Sequence, residues 1–312
     1  MPTSAELLST EIHADKKLNS TIEFVRLGAV ILITFSHLRH NFSEGIVYFI
    51  LEEIPRYGTL VLSVVSGYLF LNVEGYKQSF LKKKVKSLLF PYLIANFAVL
   101  VPVILFNMAG YNFLNRLQFD FTLFTEGMLS LSSPPINPPT YFIRDLFVVF
   151  MLLDLVLNRN FKLIVFLVPL AIFGELLLRW DILFMFAAGA AFSGLEIHLK
   201  KKMYFLWMSA LAAGLVVLFT FYQIDYSRHV ISFMIFALLI TLPPAKAKVR
   251  TGGYSYMVHL YHSPIIVSLY PLISSLQIDA YSELLLQLAL VFLIVWAAFR
   301  ITIRWKWIRG GR

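Results

Sequence analysis

The chain has 312 residues, of which 59% are hydrophobic and 14% are charged, and its mean hydropathy is +0.74. Soluble domains are about 45–50% apolar and about 25% charged, so this composition excludes a soluble enzyme, a disordered chain and a disulfide scaffold. The absence of cysteine removes thiol nucleophiles, iron–sulfur clusters and thiolate zinc sites. A formal charge of +9 would indicate nucleic acid binding in a soluble protein, but here the charges are distributed as in a membrane protein.

Ten apolar segments are candidates for membrane-spanning helices, which need about 20 residues each. Their apolar residues do not alternate with polar ones, which favours helices over membrane strands. The sequence therefore predicts an all-α, polytopic helical bundle with about ten transmembrane helices in the inner (cytoplasmic) membrane. The predicted spans are Ile22–Leu38, Arg56–Leu71, Leu88–Met108, Tyr141–Leu157, Phe161–Leu178, Ile182–Ile197, Met203–Gln223, Val230–Leu242, Tyr256–Ser274 and Leu284–Phe299.

The Lys and Arg residues are divided unequally between the two sides of this bundle. Of 27 such residues, 20 lie in loops on the side of the N-terminus and six on the opposite side, while Arg26 lies within the first span. Because Lys and Arg accumulate in cytoplasmic loops, both termini are predicted to be cytoplasmic. The resulting segments are a cytoplasmic tail (1–21), a membrane domain (22–300) with a long external loop (109–140), and a basic cytoplasmic tail (301–312).

Two ionisable residues within the first span form a candidate site, since such residues are costly in a membrane. Arg26 and His37 are eleven positions apart, which places them on one helix face with about 16 Å between them along the axis. Glu23 lies on the same face and can pair with Arg26. Such a face suits an elongated anion such as an acyl-coenzyme A. Taken singly, Arg26 is also explained as a snorkelling cation and His37 as a group that bonds another helix.

Five segments resemble, in the same order, the motifs of the membrane acyltransferase 3 family. The resemblance extends from about Ile22 to His262, and the combination is more specific than any single motif. The segments are Arg26 and His37 with ten residues between them, Ser66-Gly67-Tyr68, Lys82-Lys83-Lys84-Val85-Lys86 before Pro91-Tyr92, Asn137–Leu146 with Arg144-Asp145, and Ser255–His262.

Four features depart from the usual pattern of that family. The basic motif consists of Lys where the family usually has Arg, and Lys lacks the bidentate fork of Arg. Tyr141 replaces the usual Trp, and His259 replaces the usual Tyr. The hydrolase-like external domain of longer members does not follow the last predicted span.

The resemblance implies an enzyme that transfers an acyl group, usually acetyl, from a cytoplasmic acyl-coenzyme A to a glycan hydroxyl. The expected partners are therefore acyl-CoA, a cell-surface glycan or lipid-linked saccharide, and membrane lipids, with no nucleic acid. Acyl transfer needs a base and oxyanion donors, and His37 is the expected base because imidazole titrates near neutrality. Asp145 and His262 are further catalytic candidates. The residues expected to bind donor or acceptor are Arg26, Lys82, Lys83, Lys86, Ser66, Tyr68 and Arg144.

Several of these residues also have a purely structural interpretation. Ser66 next to Gly67 is typical of close helix packing. Arg144 and Asp145 can form an ion pair at the start of a helix. His262 can form an interhelical hydrogen bond. The sequence alone leaves these alternatives open.

Two other kinds of site compete with acyl transfer as interpretations. His37 with His40, and His259 with His262, are spaced to share helix faces and could bind zinc. No metal is expected, because no Asp or Glu flanks them in a familiar spacing. A transporter or flippase for an anionic or lipid-linked substrate would also place Arg and His within the membrane, but the sequence shows no inverted repeat. A third alternative is an acyltransferase that acts on lipid or protein hydroxyls.

Overall fold

The structure is a computed structural model, and it describes residues 4–74, 79–111, 117–158, 161–196, 226–241 and 251–302. Within these ranges all regular elements are helical, which confirms the predicted all-α class. The predicted span Met203–Gln223 lies outside the described residues. The α-helices are α1 (Ser4–Phe35), α2 (Gly45–Tyr48), α3 (Arg56–Leu69), α4 (Phe80–Lys84), α5 (Phe90–Met108), α6 (Thr122–Thr125), α7 (Tyr141–Asn158), α8 (Ile164–Phe173), α9 (Trp180–Glu196), α10 (Ser227–Thr241), α11 (Gly252–Ser274) and α12 (Ala280–Ile301).

Short π-helical and 3₁₀ segments extend several of these helices. The π-helical segments are Phe49–Glu53, Phe70–Glu74 and Val85–Leu89, and the 3₁₀ turns are Pro138–Thr140 and Phe161–Leu163. With these extensions, three described helices are long and apolar enough to cross a membrane: Gly45–Asn72, Phe80–Met108 and Ala280–Ile301. Each contains most or all of a predicted span. The count of about ten spans and the cytoplasmic position of both termini stay predictions.

Helix α3 lies at the centre of the bundle and packs against α1, α9 and α10. Its closest neighbour is α9, and glycines on both helices permit the contact. A Cβ atom on Gly67 would overlap the carbonyl oxygen of Phe186, and a Cβ atom on Gly189 would overlap that of Val64. These two glycines therefore allow the backbones of α3 and α9 to touch, as small residues do in membrane helix pairs.

Two helices, α1 and α8, differ clearly in their bounds from the predicted spans. Helix α1 begins at Ser4, well before the predicted span, and ends at Phe35 rather than Leu38. Helix α8 ends at Phe173, whereas the predicted span continues to Leu178. The chain leaves α8 because backbone groups of the following segment bond to side chains of α7. The Leu176 carbonyl accepts from Arg144, and the N–H groups of Leu178 and Arg179 donate to Asp145.

Candidate active site

Two histidines from different helices lie side by side in this bundle. His37 is half-buried in the turn that follows α1, where its N–H donates to the Thr34 carbonyl (3.1 Å). Its ring centroid is 5.0 Å from that of His262, a fully buried residue of α11. Because α1 ends at Phe35, His37 stands just beyond the helix rather than on its regular face. The pairing brings together two of the predicted catalytic residues.

A backbone hydrogen bond determines which nitrogen of His262 carries a proton. Nδ1 lies 2.8 Å from the Val258 carbonyl oxygen. A carbonyl can only accept, so Nδ1 donates, and in the neutral ring Nε2 carries the lone pair. Nε2 is buried and has no hydrogen-bond partner among the described residues. His262 is therefore oriented by its own helix and presents an unused acceptor atom.

A proline distorts the hydrogen bonding of α11 beside these histidines. Pro264 has no N–H, so the carbonyl of Leu260, four residues earlier, loses its helical donor. The side-chain Nδ2 of Asn137 donates to that carbonyl (2.8 Å). Asn137 belongs to the proline-rich part of the predicted external loop. This bond attaches the loop to α11 between His259 and His262.

A buried polar network fixes the same loop to α5. The Asn137 N–H donates to Asn96 Oδ1 (3.1 Å), and Asn96 Nδ2 donates to Thr140 Oγ1 (3.0 Å). The Thr140 hydroxyl donates to the Asn137 carbonyl (2.8 Å). All three side chains are at most 1% exposed. Because buried polar groups are costly unless bonded, this network holds the loop in one position over α11.

His259 is the second histidine of α11. Its ring is 6.2 Å from that of His262, and it packs edge-on against Phe142, with 5.6 Å between centroids. The side chain is 2% exposed. His259 thus lies inside the protein, where it lengthens the row of imidazole rings that begins at His37.

Arg26 lies on α1 about three turns from the histidine pair. It is half-buried and interacts electrostatically with the hydroxyl of Tyr256. That hydroxyl donates a long hydrogen bond of 3.5 Å to the Leu88 carbonyl. Glu23, the predicted partner of Arg26, accepts a hydrogen bond from the Thr251 hydroxyl (3.0 Å). Arg26 therefore lies at the end of the bundle where α5 and its preceding segment begin.

The lysine motif occupies that preceding segment. Lys82 and Lys83 are exposed on α4, and Lys86 is exposed in the π-helical segment that follows. Lys84 differs, since its Nζ lies 4.0 Å from the centroid of the Phe150 ring. The structure thus separates three exposed cations from one that packs on an aromatic face.

The second motif forms part of the helix-packing contact. The Ser66 hydroxyl donates to the Leu62 carbonyl of its own helix (2.8 Å). Tyr68 is 1% exposed, and its ring packs against Phe192 and Phe236. With Gly67 against α9, these contacts favour the structural interpretation of this motif, and the binding roles of Ser66 and Tyr68 stay predictions.

Arg144 and Asp145 hold together two segments of the bundle. Arg144 Nη1 lies 2.8 Å from Asp145 Oδ1, and Nη2 donates to the Leu131 carbonyl (3.2 Å). Asp145 is fully buried, and its oxygens also accept from the N–H groups of Leu178 and Arg179 (3.2 and 2.9 Å). The pair therefore links α7 to the predicted external loop and to the segment before α9.

A carboxylate organises the predicted external loop itself. Glu126 accepts hydrogen bonds from the N–H and hydroxyl groups of Ser132 and Ser133. Burial acts to raise the pKa of Glu126, but these hydrogen bonds outweigh burial and hold the pKa below its usual value. The charged carboxylate thus closes the loop just before its proline-rich part.

No group of three or more potential metal ligands occurs among the described residues. Asn96 lies outside the sequence motifs, and Thr140 lies within one without a predicted role, although an asparagine in the apolar segment of α5 is a signal of a buried polar contact. The motifs also miss the role of Asn137. Pro264 marks its partner, because a proline within a helix frees the carbonyl four residues earlier.

These features define a membrane protein that has a pair of histidines and a group of cations at different positions along the axis of one helical bundle. Residues 19–303 match the model of a family described as an acyltransferase domain, and the chain belongs to this family, acyltransferase 3. The family predicted from the motifs is thereby confirmed. The chain is similar to the succinoglycan biosynthesis protein ExoH of Rhizobium meliloti (strain 1021), with 26% identity over 232 residues.

That alignment covers 65% of this chain and 61% of the relative, so the chain spans about three fifths of the length of the curated relative that it matches. No solved structure matches the chain. The individual site residues, the donor and the acceptor stay predictions.

Proposed function

We propose that this protein is an integral inner-membrane O-acyltransferase. It would move an acyl group, most simply acetyl, from a cytoplasmic acyl-CoA to a hydroxyl of a cell-surface or lipid-linked glycan. Membership of an acyltransferase family supports the reaction class. The similarity to a succinoglycan biosynthesis protein supports a glycan acceptor. The observation that carries the mechanism is the contact between His37 and His262.

In this mechanism His37 is the general base. The acceptor hydroxyl gives its proton to a neutral imidazole nitrogen while its oxygen attacks the thioester carbonyl. A tetrahedral oxyanion forms, the C–S bond then breaks, and the proton passes from His37 to the coenzyme A thiolate. The products are an acylated glycan and free coenzyme A. General base catalysis of this kind contributes about 10²–10⁴-fold to rate.

His262 is the proposed auxiliary residue for this step. Its Nε2 has no partner in the described parts of the chain and can accept a hydrogen bond from the His37 ring. Such a bond would orient His37 and stabilise the imidazolium that forms when it takes the proton. Because the Val258 carbonyl fixes the His262 tautomer, this acceptor atom is available before substrate arrives.

We assign donor binding to the other end of the bundle, away from the histidine pair. Arg26 with Lys82, Lys83 and Lys86 would hold the phosphates of coenzyme A, because phosphates prefer clustered cations. The rise of an α-helix over eleven positions corresponds to about 16 Å between Arg26 and His37. An extended pantetheine arm can follow α1 over this distance and bring the thioester to the histidines.

Arg144, Asp145, Ser66 and Tyr68 are assigned positioning roles. Arg144 and Asp145 bond backbone groups of the predicted external loop and of the segment before α9. Ser66 bonds a carbonyl of its own helix. Their contribution would be to keep the helices and loops around the histidines in place. No metal is part of the mechanism proposed here.

Purified protein in lipid nanodiscs would test this function. Acetyl-CoA is mixed with polysaccharide extracted from the source strain after deletion of this gene. Thiol release and the acyl mass of the glycan are measured. We expect wild type to acylate the glycan, His37→Ala to lose most turnover while still binding coenzyme A, and His40→Ala to retain turnover. His40 is the matched control, because it lies three residues later and pairs with Glu52 (3.4 Å).

An unchanged acylation rate for His37→Ala would overturn the base assignment. Trapping of labelled acyl on the protein without acceptor would replace general base catalysis with an acyl-histidine intermediate. If wild type acylates no glycan and the deletion cells retain lipid-linked glycan on the cytoplasmic side of the membrane, the protein is a flippase and not an acyltransferase.

A further inference from the structure

Four aromatic rings that the mechanism does not use gather where α9 and α10 begin. We name them the aromatic rim: Trp180 and Phe184 of α9, and Tyr226 and His229 at the start of α10. The ring of Trp180 lies parallel to that of His229, with 12° between planes and 6.0 Å between centroids. Tyr226 and Phe184 meet His229 edge-on at 5.6 and 6.4 Å. Trp180, Phe184 and Tyr226 are 41%, 54% and 40% exposed.

A charged pair lies directly beside these rings. Asp181 follows Trp180 and is only 6% exposed, and its Oδ2 is 2.6 Å from Arg179 Nη2. His229 Nε2 lies 3.9 Å from the same oxygen. The other oxygen, Oδ1, has no hydrogen-bond partner among the described residues. The side chain of Arg179 is 53% exposed. The rim therefore combines partly exposed aromatic rings with a buried carboxylate and an exposed guanidinium that together carry no net charge.

A series of contacts connects this rim to the histidine site. The Arg179 N–H donates to Asp145, which belongs to α7 beside the external loop. Arg228, next to His229, forms an ion pair with Glu53 (2.8 Å). The neighbour of Glu53, Glu52, pairs with His40, three residues beyond His37. The aromatic rim thus lies at the same end of the bundle as His37.

We propose that the aromatic rim is a saccharide-binding subsite that holds the acceptor glycan at the entrance to the histidine site. An aromatic face carries negative charge density and attracts the polarised C–H groups of a pyranose ring. The exposed guanidinium of Arg179 can donate to sugar hydroxyls, and the buried Asp181 carboxylate holds it in place. Because the pair is neutral, the site suits an uncharged polyhydroxyl ligand. The assignment rests on the proposed function, since the bound glycan is taken to be the acceptor.

An aromatic belt at the membrane surface is the other interpretation of exposed tryptophan and tyrosine. A residue of such a belt needs only lipid headgroups around its polar atom. Trp180 has a different environment, because the next residue, Asp181, is a buried carboxylate with one oxygen that bonds nothing in the described chain. Trp296 provides the comparison within the same protein. It is 52% exposed on α12, and the guanidinium of Arg300 lies over its ring. Trp296 is therefore the matched control for Trp180.

The first test uses the unmodified protein. Wild type in nanodiscs is treated with N-bromosuccinimide, with and without polysaccharide from the gene-deletion strain, and tryptophan oxidation is read by mass spectrometry. The glycan should slow oxidation of Trp180 several-fold and leave Trp296 unchanged. Equal oxidation of Trp180 with and without a glycan that wild type acylates would overturn the proposal.

The second test uses kinetics. Trp180→Ala should raise the KM for the glycan about tenfold or more, because an anchoring aromatic ring is lost, while the KM for acetyl-CoA and kcat stay unchanged. Trp180→Phe should keep most of the affinity, and Trp296→Ala should behave as wild type. An unchanged glycan KM in Trp180→Ala overturns the subsite and leaves the proposed function intact. If wild type protects Trp180 but transfers no acyl group, the enzyme assignment fails and the subsite stands.

Discussion

The side-chain amide of Asn137 replaces the hydrogen bond that Pro264 removes from the Leu260 carbonyl. One residue of the predicted external loop thereby completes the hydrogen bonding of a helix interior, immediately beside His262. The geometry of the candidate site thus depends on a contact between segments that are 123 positions apart.

Asn137→Ala should lower stability by about 1–3 kcal/mol, because it leaves the buried Leu260 carbonyl without a donor. It should also lower kcat, since the loop would no longer be attached beside His262. Thermal unfolding in nanodiscs and acetyl transfer measure the two effects. Asn107→Ala is the control, because the side chain of Asn107 bonds the Val103 carbonyl of its own helix.

A double-mutant cycle isolates that bond. Pro264→Ala supplies an N–H for the Leu260 carbonyl, so the loss of Asn137 should cost less in this background than in wild type. If both backgrounds lose equal stability, Asn137 does not act through Leu260.

Gly67→Ala should prevent α3 and α9 from packing at their present distance. The added methyl group would overlap the Phe186 carbonyl, which belongs to backbone and cannot rotate away. We expect a large fall in the unfolding temperature and in the yield of folded protein. Gly28→Ala is the control, since a Cβ atom on Gly28 would meet nothing within 4 Å, and loss of a helical glycine stabilises by about 0.5–1 kcal/mol. Equal stability of the two variants would contradict this account of the contact.

Arg26→Ala should weaken coenzyme A binding by about 1.5–3 kcal/mol, which corresponds to roughly 10–150-fold in Kd. Arg26→Lys should recover part of the loss, because it restores the charge without the fork. Isothermal titration with coenzyme A provides the measurement. Wild-type affinity in folded Arg26→Ala would leave Arg26 as a snorkelling cation.

The four lysines of the basic motif should differ in their effect on the donor. Lys83→Met should raise the Kd for coenzyme A and reduce its salt dependence, because an exposed cation is lost. Lys84→Met should leave the Kd unchanged, since Lys84 packs on Phe150. A larger effect at Lys84 than at Lys83 would contradict the assignment of the exposed lysines to the phosphates.

Asp145→Asn should act mainly on stability. It removes the charge that pairs with Arg144 and leaves that guanidinium buried without its carboxylate, a change that costs about 3–5 kcal/mol. Thermal unfolding should show the loss, and the pH profile of any remaining activity should keep its wild-type shape. Wild-type stability together with a lost or shifted pH profile would instead make Asp145 a catalytic residue.

The sequence by itself determined the helical class, the membrane environment and the family. Apolar composition decides that this chain belongs in lipid, and lipid leaves helices as the way to satisfy the backbone. The placement of Arg26 and His37 along the first helix depends on helix geometry, which is local, so the sequence could predict it. The one error is that α1 ends at Phe35, so that His37 lies in the following turn.

Only the tertiary structure decided which polar residues meet. The ring of His262 approaches His37 across helices, and the order of residues in the chain does not specify interhelical contacts. The alternatives for Gly67 and for Asp145 could not be separated by pattern, because packing and binding use the same residue types. The contact of Gly67 with α9 and the backbone bonds of Asp145 favour the structural interpretations, which the substitutions above test. The aromatic rim was likewise invisible in sequence, since Trp180 and His229 come together only when α9 and α10 pack.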